Sequence, residues 1–293
     1  MLHVIYNPVA GPKSVRRIDR IRELLAASGK PFEVHETAGP GDATWLAREA
    51  AASGASAVVV AGGDGTINEV ANGLAGTPVP LLIVAHGTGN VFARELALPQ
   101  SVDDCLALLD RGRAITIPLA RAEGRYFAIV ASAGFDAEVV ERVRSSHKNR
   151  LGIAAYVLMG MRHFFRSQPA LWIEFPGRER MEAQAVVLCR GRLYGGGVVM
   201  APDASLESRD LHAVVLLKKG RTALLGFVLN CLRGKHLASR HVLHRVTDSL
   251  WVRSTIPSAA QIDGEYLGPL PVRFEMTEKT LTLLVPPKQH NTV

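Results

Sequence analysis

The sequence predicts an α/β protein in two parts, an N-terminal parallel-sheet domain followed by an antiparallel β-rich domain. Three observations carry that prediction. Over the first ~115 residues, short apolar runs alternate with amphipathic stretches of ten to fifteen residues, the rhythm of a parallel sheet covered on both faces. Beyond Ile115 the rhythm changes to short strand-like runs separated by turn residues. The third and fourth apolar runs both end in glycine turns, at the sheet edge where open α/β folds take ligands.

Taken in order, "LHVIYNP" is a strand stopped by Asn-Pro. "KSVRRIDRIRELLAAS" is a helix whose Val15, Ile18, Ile21, Leu24 and Leu25 fall at helical spacing, with Gly29 as its stop. "PFEVHET" is the second strand and "DATWLAREAAAS" a helix capped by Asp42. "AVVVA" leads through a glycine turn into a helix ending at Leu74, and "PLLIVA" leads to "HGTGNVFAREL". In the second half, "RYFAIVASA", "AQAVVLC", "LHAVVLL", "SLWVRS", "PVRFEM" and "TLTLLV" read as strands, with helices near 137–166 and 221–232. The expected domains are 1–118 and 119–275, with 276–293 a last strand returning to the first domain.

Composition bounds the rest. With 47% hydrophobic and 21% charged residues in 293, the chain is globular. No basic-headed apolar leader opens it, and the run Leu151–Met161 is too short to cross a bilayer, so a cytoplasmic location is expected. Cys105, Cys189 and Cys231 are odd in number and widely spaced, which argues for a reduced compartment and against a cysteine-bound zinc. Residues 1–150 carry 16 Lys/Arg against 16 Asp/Glu, so the whole +7 lies in the second half. That half, with Arg162, Arg166, Lys218, Lys219, Arg221, Arg233 and Lys235, suits an anionic membrane surface better than nucleic acid, for which no motif is present.

The stretch "VVVAGGDGTINEVANGL" (Val58–Leu74) places Gly62, Gly63 and Gly65 around Asp64. A strand-to-helix turn needing positive φ accounts for Gly62 and Gly63, but not for the polar series Asp64, Thr66, Asn68, Glu69 that follows. Glycine-turn amides at a helix start make a phosphate cradle. A carboxylate inside it requires a divalent cation, Mg²⁺, between itself and the phosphates. "NPVAGPK" adds Asn7, Gly11 and Lys13 at the end of the first strand. "HGTGN" adds Gly87 and Thr88 at the end of the fourth. Neither a Walker A loop nor GxGxxG is present.

"GGDGTINEVANGL", with "NPVAGPK" before it and "HGTGNVFAREL" after it, closely resembles the diacylglycerol kinase catalytic-domain family, which includes bacterial lipid kinases, sphingosine kinases and ceramide kinases. "AGFDAEVV", "RLGIAAY", "YGGGVVMAPDASL" and "QIDGEYLGP" follow in that family's order, so the resemblance spans nearly the whole chain. It implies ATP held in a cleft between an α/β domain and a β-rich domain, and transfer of the γ-phosphoryl group to a lipid hydroxyl. By position, Asn7, Thr37, Gly63, Asp64, Gly65, Thr66, Glu69 and Thr88 would contact the nucleotide, Asp64 through the metal.

On its own, "IDGEYLG" reads as a hairpin turn. With the resemblance, Glu265 becomes the proton acceptor and Asp263 its partner or a metal-side carboxylate, the division of labour between them left open. Lys13, Lys148 and Arg150 are either phosphate-neutralising or exposed cations, His147 and His86 read as loop or supporting residues rather than catalytic ones, and Leu151–Phe165 is either core or an acyl-chain lining. The family's Asp-Asp-Gly, whose second aspartate helps hold a structural Mg²⁺, is replaced by Glu207-Ser208-Arg209-Asp210. Arg190 stands near a common Asn, and His86 stands where a proline is typical. A NAD-kinase-like enzyme with a soluble acceptor and a catalytically silent lipid-binding regulator are the competing readings. The identity of the lipid and formation of a homodimer stay open.

Overall fold

The computed structural model describes residues 1–10, 14–87, 89–145, 170–217 and 219–287. The chain divides into two compact units, Met1–Leu119 with Glu278–Val293, and Ala120–Thr277. In the first, β1 (Leu2–Tyr6), β2 (Phe32–Glu36), β3 (Ala57–Gly62) and β4 (Leu81–Ala85) pair in parallel in the order β2-β1-β3-β4. Every residue of β1 and β3 is buried, as helices on both faces demand of a parallel sheet.

The helices of this unit are α1 (Ser14–Ala27), α2 (Asp42–Ala52), α3 (Asp64–Leu74), α4 (Val91–Glu95), α5 (Val102–Leu106) and α6 (Leu108–Arg111). On α1, Ser14, Ile18, Ile21 and Leu25 form the buried stripe. Val15, which the spacing grouped with them, is 61% exposed; at 100° per residue it lies roughly 90° from the centre of that stripe. The two helices α2 and α3 pack closely where Gly73 meets Thr44 and Ala47. A Cβ on Gly73 would sit 2.5 Å from the Thr44 carbonyl oxygen and 2.6 Å from the Ala47 Cβ, so any larger residue would push α3 away. Asp42 does not cap α2: the capping position is Gly41 at φ 93, and Asp42 Oδ2 instead accepts the Ala38 and Gly39 N–H groups at 2.8 and 2.9 Å.

Strand β5 (Arg113–Ala122) carries the chain into the second unit. There β6 (Arg125–Phe127), β7 (Val130–Gly134), α7 (Phe135–Ser145), β8 (Leu171–Glu174), β9 (Met181–Ala183), β10 (Ala185–Cys189), β11 (Leu193–Tyr194), β12 (Val198–Val199), β13 (Leu211–Leu216), α8 (Arg221–Leu232), β14 (Val242–Thr247), β15 (Ser249–Ser254), β16 (Ala259–Ile262), β17 (Glu265–Pro269) and the start of β18 (Val272–Val285) follow. An antiparallel sheet runs β14-β13-β10-β7-β16-β17. Strands β18, β15, β8 and β9 pair alongside one another. Between them lies a core of Phe127, Leu171, Ile173, Leu188, Val252 and Phe274, with Phe127 and Phe274 edge to face at 6.3 Å.

The runs "PVRFEM" and "TLTLLV", read as two strands, are one: β18 pairs with β15 at its start and, through Leu283, with Leu81 of β4 near its end. The stretch Leu151–Phe165 lies outside the described residues, as do His147, Lys148, Arg150, Arg162, Arg166 and Lys218. Among the described residues, no helix is long and apolar enough to cross a membrane.

Candidate active site

The ends of β1, β3 and β4 bring most of the expected phosphate residues to one edge. Gly62 closes β3 against the first turn of α3, where an added Cβ would fall 2.7 Å from the Thr66 Cβ. The Asn7 amide fixes that turn, donating from Nδ2 to Thr66 Oγ1 at 3.1 Å and accepting the Val9 N–H at 3.0 Å. The two glycine turns touch: a Cβ on Gly87 would lie 3.0 Å from Gly63 Cα. Neither Gly62 nor Gly63 has positive φ, and Gly63 is extended at φ −86. Close approach, not left-handed backbone, is therefore what requires glycine here. Gly65 lies in the first turn of α3. Thr37 is buried just beyond β2, its N–H on the Tyr6 carbonyl at 3.0 Å. Gly11, Lys13 and Thr88 lie outside the described residues.

Asp64 is half-buried at this edge. Burial pushes its carboxyl above the usual aspartate range, against the opposing pull of the Asn90, Val91 and Phe92 backbone amides and of Arg94. Among the described residues its Oδ1 has no hydrogen-bond partner, and neither does Asn90 Oδ1 or His86 Nε2. Buried polar atoms almost always find partners, and three of the exceptions lie around these two touching turns. A carboxylate oxygen without a donor suits a hard cation. Burial, the largest influence, lowers His86, whose Nδ1 lies 3.3 Å from the Val84 carbonyl. Arg17, overlooked in the sequence, donates from α1 to the Ala85 carbonyl at 2.6 Å; its only signal was a cation one turn beyond the Asn-Pro loop.

Two expected nucleotide residues are occupied elsewhere. The Glu69 carboxylate accepts the Gly41 N–H at 2.9 Å and the Ala43 N–H at 3.2 Å, and Thr44 Oγ1 donates to the Glu69 carbonyl at 3.0 Å. Glu69 is thus the anionic cap of α2 that Asp42 was expected to be. Asn68 is buried within α3 and accepts from Asn72 Nδ2 through both its carbonyl and its side chain, at 2.9 and 3.2 Å.

In the second unit, Asp263 and Gly264 form the two-residue turn between β16 and β17, both at positive φ (47 and 84), as an Asp-Gly hairpin prefers. The Asp263 carboxylate accepts three backbone N–H groups, Ala128 on Oδ2 at 2.9 Å and Ile129 and Val130 on Oδ1 at 3.0 and 2.9 Å. It fastens the hairpin to the start of β7. Glu265 pairs instead with Arg125, Oε2 to Nη2 at 2.6 Å, and both side chains remain partly exposed. Behind the turn runs a polar chain: the Gly264 N–H donates to Gln261 Oε1, Gln261 Nε2 to Ser132 Oγ, and Ser132 and Tyr194 hydroxyls to Asp136 Oδ2, at 2.5–2.8 Å. Burial raises Asp136, with the two hydroxyls pulling the other way. The sequence reading quoted its motif without giving it a role.

At the loop before β13, the residues do not fit a divalent ion. Arg190 is fully buried and donates to the Asp210 and Leu206 carbonyls at 2.7 and 2.8 Å, its guanidinium brought down to about 10 by burial. Ser208 Oγ lies within hydrogen-bonding distance of the Ser205 carbonyl (2.7 Å) and Asp210 Oδ1 (2.5 Å). A fixed cation already holds the loop carbonyls, and a second positive charge beside it would be repelled.

The model of the diacylglycerol kinase catalytic domain matches residues 1–122, and that of the YegS C-terminal NAD kinase beta sandwich-like domain matches residues 129–285. A diacylglycerol kinase of Bacillus subtilis (strain 168) is 31% identical over 291 residues, covering 97% of this chain and 95% of the relative. One from Staphylococcus carnosus (strain TM300) is 28% identical over 295 residues, 99% of this chain and 96% of the relative. The crystal structure of a diacylglycerol kinase candidate from Bacillus anthracis str. Sterne superposes with a TM-score of 0.81 at 25% identity, over 98% of this chain and 95% of the other. With the phosphate edge, the β-rich second unit and this match across both halves, the chain belongs to the diacylglycerol kinase catalytic-domain family and is an ATP-dependent lipid kinase.

Proposed function

We propose that this kinase phosphorylates the free hydroxyl of diacylglycerol, with ATP bound as its Mg²⁺ complex. The observation that carries the metal is the buried, partnerless Oδ1 of Asp64 beside the glycine turns. The relatives named for diacylglycerol carry the acceptor. Backbone amides of Gly63–Gly65 and the start of α3 receive the phosphates. Asp64 and the side chain of Asn90 would hold Mg²⁺, which when bound supplies positive charge to the triphosphate. Glu265 accepts the proton of the attacking hydroxyl, and its contact with Arg125 orients it.

Substrate resident in a bilayer calls for a surface that meets lipid. Helix α8 buries Leu224 and Cys231 but exposes Leu225, Val228, Leu229 and Leu232, positions that repeat at three and four residues and so share one face. Arg221, Arg233 and Lys235 flank that face. An apolar face edged by cations is what an anionic membrane surface binds.

The test offers labelled ATP and Mg²⁺ with vesicles containing diacylglycerol, a sphingoid base or phosphatidylglycerol, and separately with NAD. Label in phosphatidic acid alone supports the proposal; label only in another lipid or in NADP overturns the acceptor. For the membrane face, Leu229→Ser with Leu232→Ser releases the protein from anionic vesicles while turnover on short-chain diacylglycerol in detergent is kept. Unchanged vesicle binding by that variant rejects the role of α8.

A further inference from the structure

We propose that His3, Glu33 and His35 form a site for one zinc-class divalent ion at the outer edge of the first sheet. Strand β2 is the edge strand, and it pairs in parallel with β1 in a register that sets His3 opposite Glu33 and Ile5 opposite His35. Glu33 and His35 are two apart on one strand and therefore face the same side. His3 reaches them from the neighbouring strand.

The ligand atoms form a closed triangle. His3 Nδ1 and His35 Nε2 are 3.0 Å apart, and Glu33 Oε2 lies 3.9 Å from the first and 3.7 Å from the second. The point equidistant from all three atoms is about 2.1 Å from each, the length of a zinc–imidazole bond (~2.0–2.1 Å). A shared proton accounts for the contact between the two nitrogens, whose rings are within 6° of parallel. It does not account for the carboxylate, which is beyond hydrogen-bonding reach of either nitrogen yet stands where a third ligand would.

The neighbours of His3 favour the tautomer a metal needs. Ser53 Oγ donates to the Ala50 carbonyl at 2.9 Å and lies 3.5 Å from His3 Nε2. A proton on Nε2 directed at Ser53 leaves the Nδ1 lone pair facing the triangle, the outer-shell arrangement of a ligating histidine. The side chain of His3 is 7% exposed, that of His35 28% and that of Glu33 54%, so the site is anchored on its inner side and open on its outer side. Water can complete a tetrahedron there. Two imidazoles and one carboxylate select zinc, cobalt or nickel over Mg²⁺, which prefers oxygen ligands. His3 precedes Asn7 by four residues on an extended strand, roughly 13 Å from the phosphate edge, so this ion is separate from the one that accompanies ATP. Its effect is to clip an unprotected edge strand to its neighbour.

Full-length protein is titrated with ZnCl₂ by calorimetry in buffer containing Mg²⁺, and thermal unfolding is followed in parallel. One zinc per chain and a rise in Tm with zinc concentration are expected. The exposed-side variants His35→Ala and Glu33→Gln, which leave buried His3 in place, should weaken binding at least about tenfold and remove the Tm response. Their turnover with Mg²⁺-ATP should equal that of the parent. Replacing zinc with Co²⁺ should give visible absorption of a tetrahedral centre, absent in His35→Ala. No zinc uptake by the parent, or uptake of equal affinity by His35→Ala, would overturn the assignment.

Discussion

Two Asp-Gly pairs, Asp64-Gly65 and Asp263-Gly264, look alike in the sequence and behave as opposites in the fold. Asp64 stands at a helix start with one buried oxygen that no described residue satisfies. Asp263 stands in a hairpin turn with both oxygens taken by three backbone amides. The first is costly to keep ionised and is the oxygen the proposed Mg²⁺ site would use; the second is a fastening. An unsatisfied buried carboxylate reports function and a saturated one reports architecture, even where both flank a glycine.

Substitution should separate them. The largest effect is expected for Asp64→Asn: turnover with Mg²⁺-ATP falls about a thousandfold or more, while the fold persists. Because burial raises Asp64 in the folded state, ionising it opposes folding. That cost is absent below the unfolded value near pH 4, grows as pH rises toward the folded value, and is constant above it. Asp64→Asn should therefore have a higher Tm than the parent at pH 7, a gain that vanishes in acid. A lower Tm at pH 7 would refute the distinction.

Glu265→Gln should lower kcat by about a hundredfold with Tm unchanged; parent-like turnover removes Glu265 from the chemistry. Asp263→Ala reverses the pattern, leaving three amides without an acceptor and costing about 3 kcal/mol or more by denaturant unfolding. Asp263→Asn, which keeps an acceptor oxygen, should lose less. Arg190→Met should cost about 2 kcal/mol through the lost carbonyl contacts. EDTA should leave the parent's Tm unaltered by any effect at that loop, visible as equal EDTA responses in the two proteins. Smallest, Glu69→Gln should cost about 1 kcal/mol by weakening the cap on α2, with turnover retained; a hundredfold loss of turnover would return Glu69 to the nucleotide site.

The edge formed by the glycine turns was readable because its parts are local. Gly62, Gly63 and Asp64 are consecutive with the strand they end and the helix they start, and the apolar runs before them leave no other arrangement. The reason for the glycines was not readable, since a turn needing positive φ and a turn pressed against another turn use the same residue. The contacts of Glu69, Asp263 and Arg190 were not readable because their partners lie far along the chain. Asp263, for example, meets Ala128 across 135 positions. The histidine–glutamate triangle is hidden for the same reason: His3 and Glu33 are neighbours only through strand register.

By itself, the sequence determined the α/β-then-β architecture, the two glycine turns and the kinase family, because hydrophobic periodicity and contiguous motifs act over a few residues at a time. Only the tertiary structure decided which carboxylate oxygens are taken by backbone amides and which are left without a described partner. Hydrogen-bond saturation belongs to pairs of groups brought together by folding, and no single position encodes it.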